Sequence, residues 1–228
     1  MIVLERTLAS RTRARIRFTD RSSGDLHPES EGVAERRAAV DPRPWTWVHQ
    51  VHGSEVVEVA RPGEGAGRTG DAIVTRCRGA VLAVQGADCA PVVFYSPEGV
   101  VGVAHAGWRG IEAGVLSSTV SAMRGLGAVE IAAVVGPHIG PERYEFGEAD
   151  LRRLHGVLGF DVATLDREGR PALDVSRAIA GVLHGLGVRL DHDVDRCTAT
   201  SERYWSHRAS GDRCRQVGLV VLEGRAAG

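Results

Sequence analysis

Three short segments concentrate the reactive side chains of this 228-residue chain. HQVHG carries His49, Gln50 and His52, GADCAP carries Asp88 and Cys89, and AHAGWRG carries His105 and Arg109. One cysteine and two histidines form a borderline-soft donor set that suits Zn2+. Three protein ligands leave a fourth position for water or substrate, whereas a structural zinc site normally takes four ligands. No CxxC pair occurs, and His52, Cys89 and His105 lie 37 and 16 positions apart. Separate elements must therefore deliver them. The same residue types also serve a cysteine nucleophile paired with a histidine. Types and spacing leave both chemistries open.

Arg109 adds an anion signal. It stands just before a helix expected to begin near Gly110. Free N–H groups and the helix dipole draw anions to such an end. A cation there opposes the dipole unless an anionic ligand lies between, and guanidinium grips phosphate or carboxylate bidentately. Downstream, GPHIGPERYEFG holds His138, Tyr144 and Glu145, and DRCTATSERYWSHRASG holds Cys197, His207 and Arg208.

The elements that must position these groups are mostly short, valine-rich strands. They are expected at Trp45–Val51, Glu55–Ala60, Ala72–Thr75, Ala80–Gln85, Val92–Tyr95, Val100–Ala104, Ile131–Val135 and Val217–Leu222. Several are nearly continuous apolar runs, as in strands buried on both faces. Ile111, Val115, Ala122 and Leu126 mark one helix, and Val175, Ile179, Val182 and Leu186 another. Asp174 can cap the second and Gly187 can end it. A weaker helical pattern covers Glu148–Val157, and a short one covers Ala34–Ala39 within a polar connection from Asp20 to Pro44. Arg61–Gly70 is a glycine-rich loop without the GK[ST] ending of a phosphate loop. The reading is α/β or α+β, with the reactive groups on loops at strand ends.

Bulk properties exclude several classes. With 43% hydrophobic and 25% charged residues, the composition is that of a soluble globular protein. The formal net charge of −1 gives no bulk attraction to nucleic acid or an anionic membrane. No run approaches the ~20 apolar residues of a membrane span, and the start lacks the plan of a signal peptide. The expected location is the cytoplasm, with the four cysteines reduced. The length fits one domain or two small ones.

The motifs together resemble a known family. QVHG at Gln50–Gly53, GDAIVT at Gly70–Thr75, ADCAPVVFY at Ala87–Tyr95 and VAHAGWRG at Val103–Gly110 follow in order, then GPHIGPERYEFG and DRCT. The chain resembles the laccase-domain proteins once described as multicopper polyphenol oxidases. They are now generally described as purine nucleoside phosphorylases, with bacterial peptidoglycan-editing members. The resemblance implies one domain over residues 1–228, folded as a layered sandwich with mixed β-sheets between helices. It implies zinc held by His52, Cys89 and His105, with His49 outside the set. It implies phosphorolysis of adenosine, inosine, guanosine and methylthioadenosine, and deamination of adenosine. Two segments depart from the family pattern: Phe18–Asp25 stands where a GGVS-type stretch is usual, and His207–Ala209 replaces part of an SYRR-type stretch while keeping Arg208.

On that basis Cys89, Asp88 and Glu145 are the catalytic candidates, with Asp88 or Glu145 moving protons. Arg109 and Arg208 are candidates for holding phosphate, and Gln50 and His138 for binding substrate. His138 or His49 would protonate the leaving purine. The partners are a small nucleoside and phosphate. Three rivals stand beside this reading: a copper-dependent phenol oxidase, a Cys89 hydrolase acting on peptidoglycan precursors, and a non-enzymatic protein with a structural metal. Copper oxidases of the laccase type use paired HxH motifs, which nine scattered histidines do not supply.

Overall fold

The computed structural model describes residues 1–8 and 12–224. In chain order the elements are β1 (Ile2–Thr7), β2 (Thr12–Phe18), α1 (Val33–Val40), β3 (Trp45–His49), β4 (Val56–Val59), β5 (Arg68–Thr69) and β6 (Ala72–Thr75). They continue with β7 (Val81–Gly86), β8 (Ala90–Ser96), β9 (Val100–Ala106), α2 (Trp108–Ala113), α3 (Val115–Gly125), β10 (Ala132–Val135) and α4 (Glu148–Leu158). The last are β11 (Ala163–Leu165), β12 (Pro171–Leu173), α5 (Val175–Gly185), β13 (Arg189–Asp193), α6 (His207–Ser210) and β14 (Gln216–Gly224).

Two six-stranded mixed sheets pack face to face, with strand orders β1-β2-β14-β7-β3-β5 and β13-β10-β8-β9-β6-β4. The side-chain period of two explains the continuous apolar runs. Along β8, Ala90, Val92 and Phe94 join the core under the helices, while Val93 and Tyr95 point into the core between the sheets. Both faces of this sheet are covered, so neither set needs polar residues. Phe94, fully buried, gains about 1.5–3 kcal/mol from leaving water. The outer face of the first sheet buries Trp45, Val81, Leu219 and Val221 against Leu26 and Val40, so the polar 20–44 connection serves as a partial third cover.

The expected long helix after Gly110 is two helices. Gly114 takes φ 89, the left-handed region that glycine enters without a Cβ penalty, and breaks α2 from α3. Arg109 consequently lies inside the first turn of α2 rather than before it. The first strand of the sequence reading ends at His49 instead of Val51, because Gln50–Gly53 turn away toward Asp71. Strands β1 and β2 escaped that reading: in β2, arginines at Arg13, Arg15 and Arg17 alternate with buried Ala14, Ile16 and Phe18, and β1 offers only the short apolar run of Ile2, Val3 and Leu4. Among the described residues, no helix is long and apolar enough to cross a membrane.

Candidate functional site

Strand register builds the floor of the site. In the antiparallel β8–β9 pair, Pro91 faces His105 and Ala90 faces Ala106, which brings Cys89 opposite Gly107. In the β6–β9 pair Ala72 faces Ala104, which brings Asp71 opposite His105. His52 arrives from the turn that follows β3. Its imidazole Nε2 lies 3.9 Å from Cys89 Sγ, and the rings of His52 and His105 meet edge to face at 4.8 Å. One donor atom from each of His52, Cys89 and His105 falls within 4.8 Å of the others. His105 is buried, Cys89 is partly accessible and His52 is exposed.

The arrangement fits a small thiophilic cation. Ligands at roughly 2.0–2.3 Å from a tetrahedral ion stand a little closer to one another than these atoms do, so modest side-chain rotation suffices. The donor set is one sulfur and two imidazoles, from three separate elements. Gly107 keeps the space open: a Cβ there would lie 2.7 Å from Cys89 Sγ and 3.2 Å from His52 Cδ2.

Hydrogen bonds fix the surroundings. The Asp71 carboxylate lies 2.9 Å from His105 Nδ1 and accepts the N–H groups of Val51, His52 and Gly53 at 3.1, 3.0 and 2.8 Å. Burial raises the cost of the Asp71 charge, but the bonds from His105 and these amides outweigh it and keep the carboxyl below its ordinary pKa. Burial likewise opposes the Cys89 thiolate. The positive His105 and hydrogen bonds from both histidines overcome that opposition and draw the thiol down. His105 is raised in turn by the Cys89 charge and Asp71, against burial. With no metal between them the pair favours thiolate facing imidazolium, and a bound cation would take the place of the shared proton.

This floor opens into a cleft of about 780 Å3. One wall is aromatic and cationic. Trp108 and Tyr144 both meet Phe146 edge to face, at 5.2 and 5.5 Å. The Arg109 guanidinium lies 4.4 Å from the Trp108 ring centre and Arg208 lies 4.7 Å from that of Tyr144. Burial, then the negative charge of Cys89, raises the Tyr144 phenol, so its O–H remains a donor. Trp47, His49 and Arg215 belong to the rest of the lining.

The structure gathers most of the expected site residues and separates others. His52, Cys89, His105, Asp88, Arg109, Arg208 and Gln50 line the cleft. Gln50 spends its amide on the Gln85 backbone, accepting from its N–H at 2.7 Å and donating to its carbonyl at 3.0 Å. Asp88 accepts from Thr198 Oγ1 and from the Arg208 N–H, both at 2.7 Å. Glu145 is outside the lining: its carboxylate pairs with Arg170 at 3.1 Å, and its carbonyl accepts from Arg208 Nη1 at 3.0 Å. His138 is buried between the Gly136 carbonyl and Ser176 Oγ, each 2.9 Å away, and also lies outside the lining. Asp71 was the principal omission. It sits in the GDAIVT motif, and a charged residue opening an apolar strand was the available signal, since a buried carboxylate requires partners.

Comparison with known proteins bears on the family and the fold. The family model described as "Multi-copper polyphenol oxidoreductase laccase" matches residues 28–223. The chain is 37% identical to the purine nucleoside phosphorylase of Deinococcus radiodurans, over 90% of this chain and 82% of that one. It is 36% identical to purine nucleoside phosphorylase ORF3 of Streptomyces griseus, over 98% and 100%. It is also 36% identical to purine nucleoside phosphorylase YfiH of Escherichia coli, over 77% and 73%. The crystal structure of the Bacillus licheniformis hypothetical protein YfiH superposes with a TM-score of 0.82 at 23% identity, covering 96% and 99%. That of Neisseria meningitidis NMB0706 gives 0.79 at 24%, covering 98% and 99%, and both show the same fold. The chain belongs to the multi-copper polyphenol oxidoreductase laccase family, whose curated relatives here carry the name purine nucleoside phosphorylase.

Proposed function

We propose that this protein is a zinc-dependent purine nucleoside phosphorylase that splits adenosine, inosine, guanosine or methylthioadenosine with inorganic phosphate. The observation that carries the reading is the single cleft in which the His52–Cys89–His105 floor meets a wall bearing Arg109 and Arg208. Phosphorolysis needs an anion held against the anomeric carbon. A phosphate oxygen forms the new bond to C1′, the C1′–N9 bond breaks, and the purine leaves with a proton. The two guanidiniums already stack on Trp108 and Tyr144, which fixes their direction and leaves N–H donors for phosphate. Fixed positive charge gains most where negative charge builds up in the transition state. Zinc held by the three side chains would supply a Lewis acid at the cleft floor. His49, on the cleft lining, is better placed to protonate the purine than buried His138.

Asp88 and Glu145 are assigned support here rather than proton transfer, since their carboxylates already serve Thr198, Arg208 and Arg170. The test is incubation of the metal-analysed protein with a nucleoside panel, with and without phosphate. Phosphate-dependent release of free purine is expected, with ribose 1-phosphate from the ribonucleosides and 5-methylthioribose 1-phosphate from methylthioadenosine. Adenosine converted to inosine without phosphate would reveal the second activity, deamination, which a three-ligand ion with a free position would also serve. Copper at stoichiometric level with phenol oxidation, or a covalent adduct on Cys89 with a peptidoglycan-precursor electrophile, would overturn the assignment.

A further inference from the structure

Three consecutive backbone N–H groups, those of Val51, His52 and Gly53, converge on one carboxylate, Asp71. His52 holds φ 59, in the left-handed region that a non-glycine residue enters only when its surroundings impose it. Successive N–H groups curved around such a residue form an anion-binding concavity. Here the anion is the chain's own side chain. Asp71 is fully buried, and its one ionic partner among the described residues is His105. Its Oδ1 serves both histidine elements at once, accepting the His52 N–H at 3.0 Å and lying 2.9 Å from His105 Nδ1. The Asp71 carbonyl also accepts the His105 N–H at 2.7 Å.

We infer that Asp71 is the positioning residue of the metal centre, one carboxylate that shapes the His52 turn and orients the His105 ring together. This rests on the zinc reading above. An Nδ1–H held by Asp71 leaves Nε2 of His105 as the free lone pair, which is the tautomer a metal requires. The same charge neutralises the converging amides and so holds His52 in its left-handed turn. Loss of Asp71 therefore disturbs two of the three ligands, not one.

Chemical rescue separates this role from simple space filling. Zinc affinity of wild type, Asp71→Ala and Asp71→Asn is measured by chelator competition, with circular dichroism confirming the fold. Both variants are expected to bind zinc roughly 10–100-fold more weakly. Formate, a carboxylate small enough for the vacated space, is expected to restore affinity in Asp71→Ala saturably, with no effect on wild type. Formamide, neutral and of the same shape, should not restore it. Zinc binding within twofold of wild type, or equal rescue by both additives, would overturn the inference while leaving the metal reading intact. A wild-type protein that binds no zinc would overturn both. Should Asp71→Ala not fold, zinc-loaded wild type decides alone: a 15N-labelled sample must show an exchange-protected His105 Nδ1–H, and its absence refutes the role.

Discussion

Asp88 and Arg208, 120 positions apart, are joined by the Arg208 backbone N–H donating to Asp88 Oδ2 at 2.7 Å. The other carboxylate oxygen accepts from Thr198 Oγ1. Asp88 pays for this geometry with φ 103, outside the comfortable range of a non-glycine residue. The neighbour of Cys89 therefore ties α6 and its arginine to the cleft floor. Asp88→Asn keeps one acceptor and turns the other into a donor facing a donor. The expected cost is about 1–3 kcal/mol of stability, read as a lower midpoint in urea. In the nucleoside assay the KM for phosphate should rise more than the KM for nucleoside, because Arg208 loses its anchor.

Arg109 and Arg208 should act on phosphate rather than on the purine. Each charge-assisted bond to phosphate contributes about 1.5–3 kcal/mol, which corresponds to a loss of roughly tenfold or more. Arg109→Met and Arg208→Met keep an unbranched apolar side chain while removing the guanidinium that lies over Trp108 or Tyr144. Steady-state kinetics are expected to show a KM for phosphate raised by at least tenfold, with product-inhibition constants for free purine within about threefold. An equal loss against both ligands would place these arginines elsewhere in the reaction.

How much of this was legible in the residues differs by level. The buried strands of the second sheet announced themselves, because β8 and β9 are covered on both sides and carry almost no polar residue. The cluster of His52, Cys89 and His105 was nameable from donor chemistry and from the family motifs, and the structure brings one donor atom of each together. The break at Gly114 was invisible, since apolar spacing continues across it from Ile111 to Val115. Asp71 was missed because three of its partners are backbone amides, which no side-chain pattern displays, and the fourth, His105, lies 34 positions away. Glu145 and His138 were suggested by type and motif. Their directions depend on Arg170 and Ser176, contacts that form only when distant segments meet.

Acid should weaken the outer face of the first sheet. Asp41 is almost fully buried and bonds Arg17 at 2.6 Å and Arg43 at 2.5 Å. Burial opposes its charge, yet the two guanidiniums prevail and lower its pKa from 3.8 to about 2. A depressed carboxylate stabilises the fold fully above its unfolded pKa and loses that contribution as pH falls through the folded value. Denaturant midpoints should therefore hold steady down to about pH 4 and drop between there and pH 2. Asp41→Asn should be less stable at pH 6 and show a shallower fall. Parallel curves for the two proteins would remove Asp41 from the acid transition.

Gly107→Ala is the sharpest probe of the floor, because the reason for the glycine is local. Its φ of −76 and ψ of 161 are open to any residue, so alanine meets no backbone strain at this N-terminal cap of α2. The added Cβ instead meets Cys89 Sγ at 2.7 Å and His52 Cδ2 at 3.2 Å. It must push the sulfur away from the two imidazoles, since His105 is held from behind by Asp71. The variant is expected to lose zinc and with it the thermal stabilisation that zinc gives. At a hundredfold excess over Kd that stabilisation is about 2.7 kcal/mol, or roughly 5–11 °C for a chain of this size. Without metal, wild type and variant should melt within a few degrees of each other. A Gly107→Ala protein that still rises in Tm with zinc as wild type does would mean that Cys89 is not a ligand.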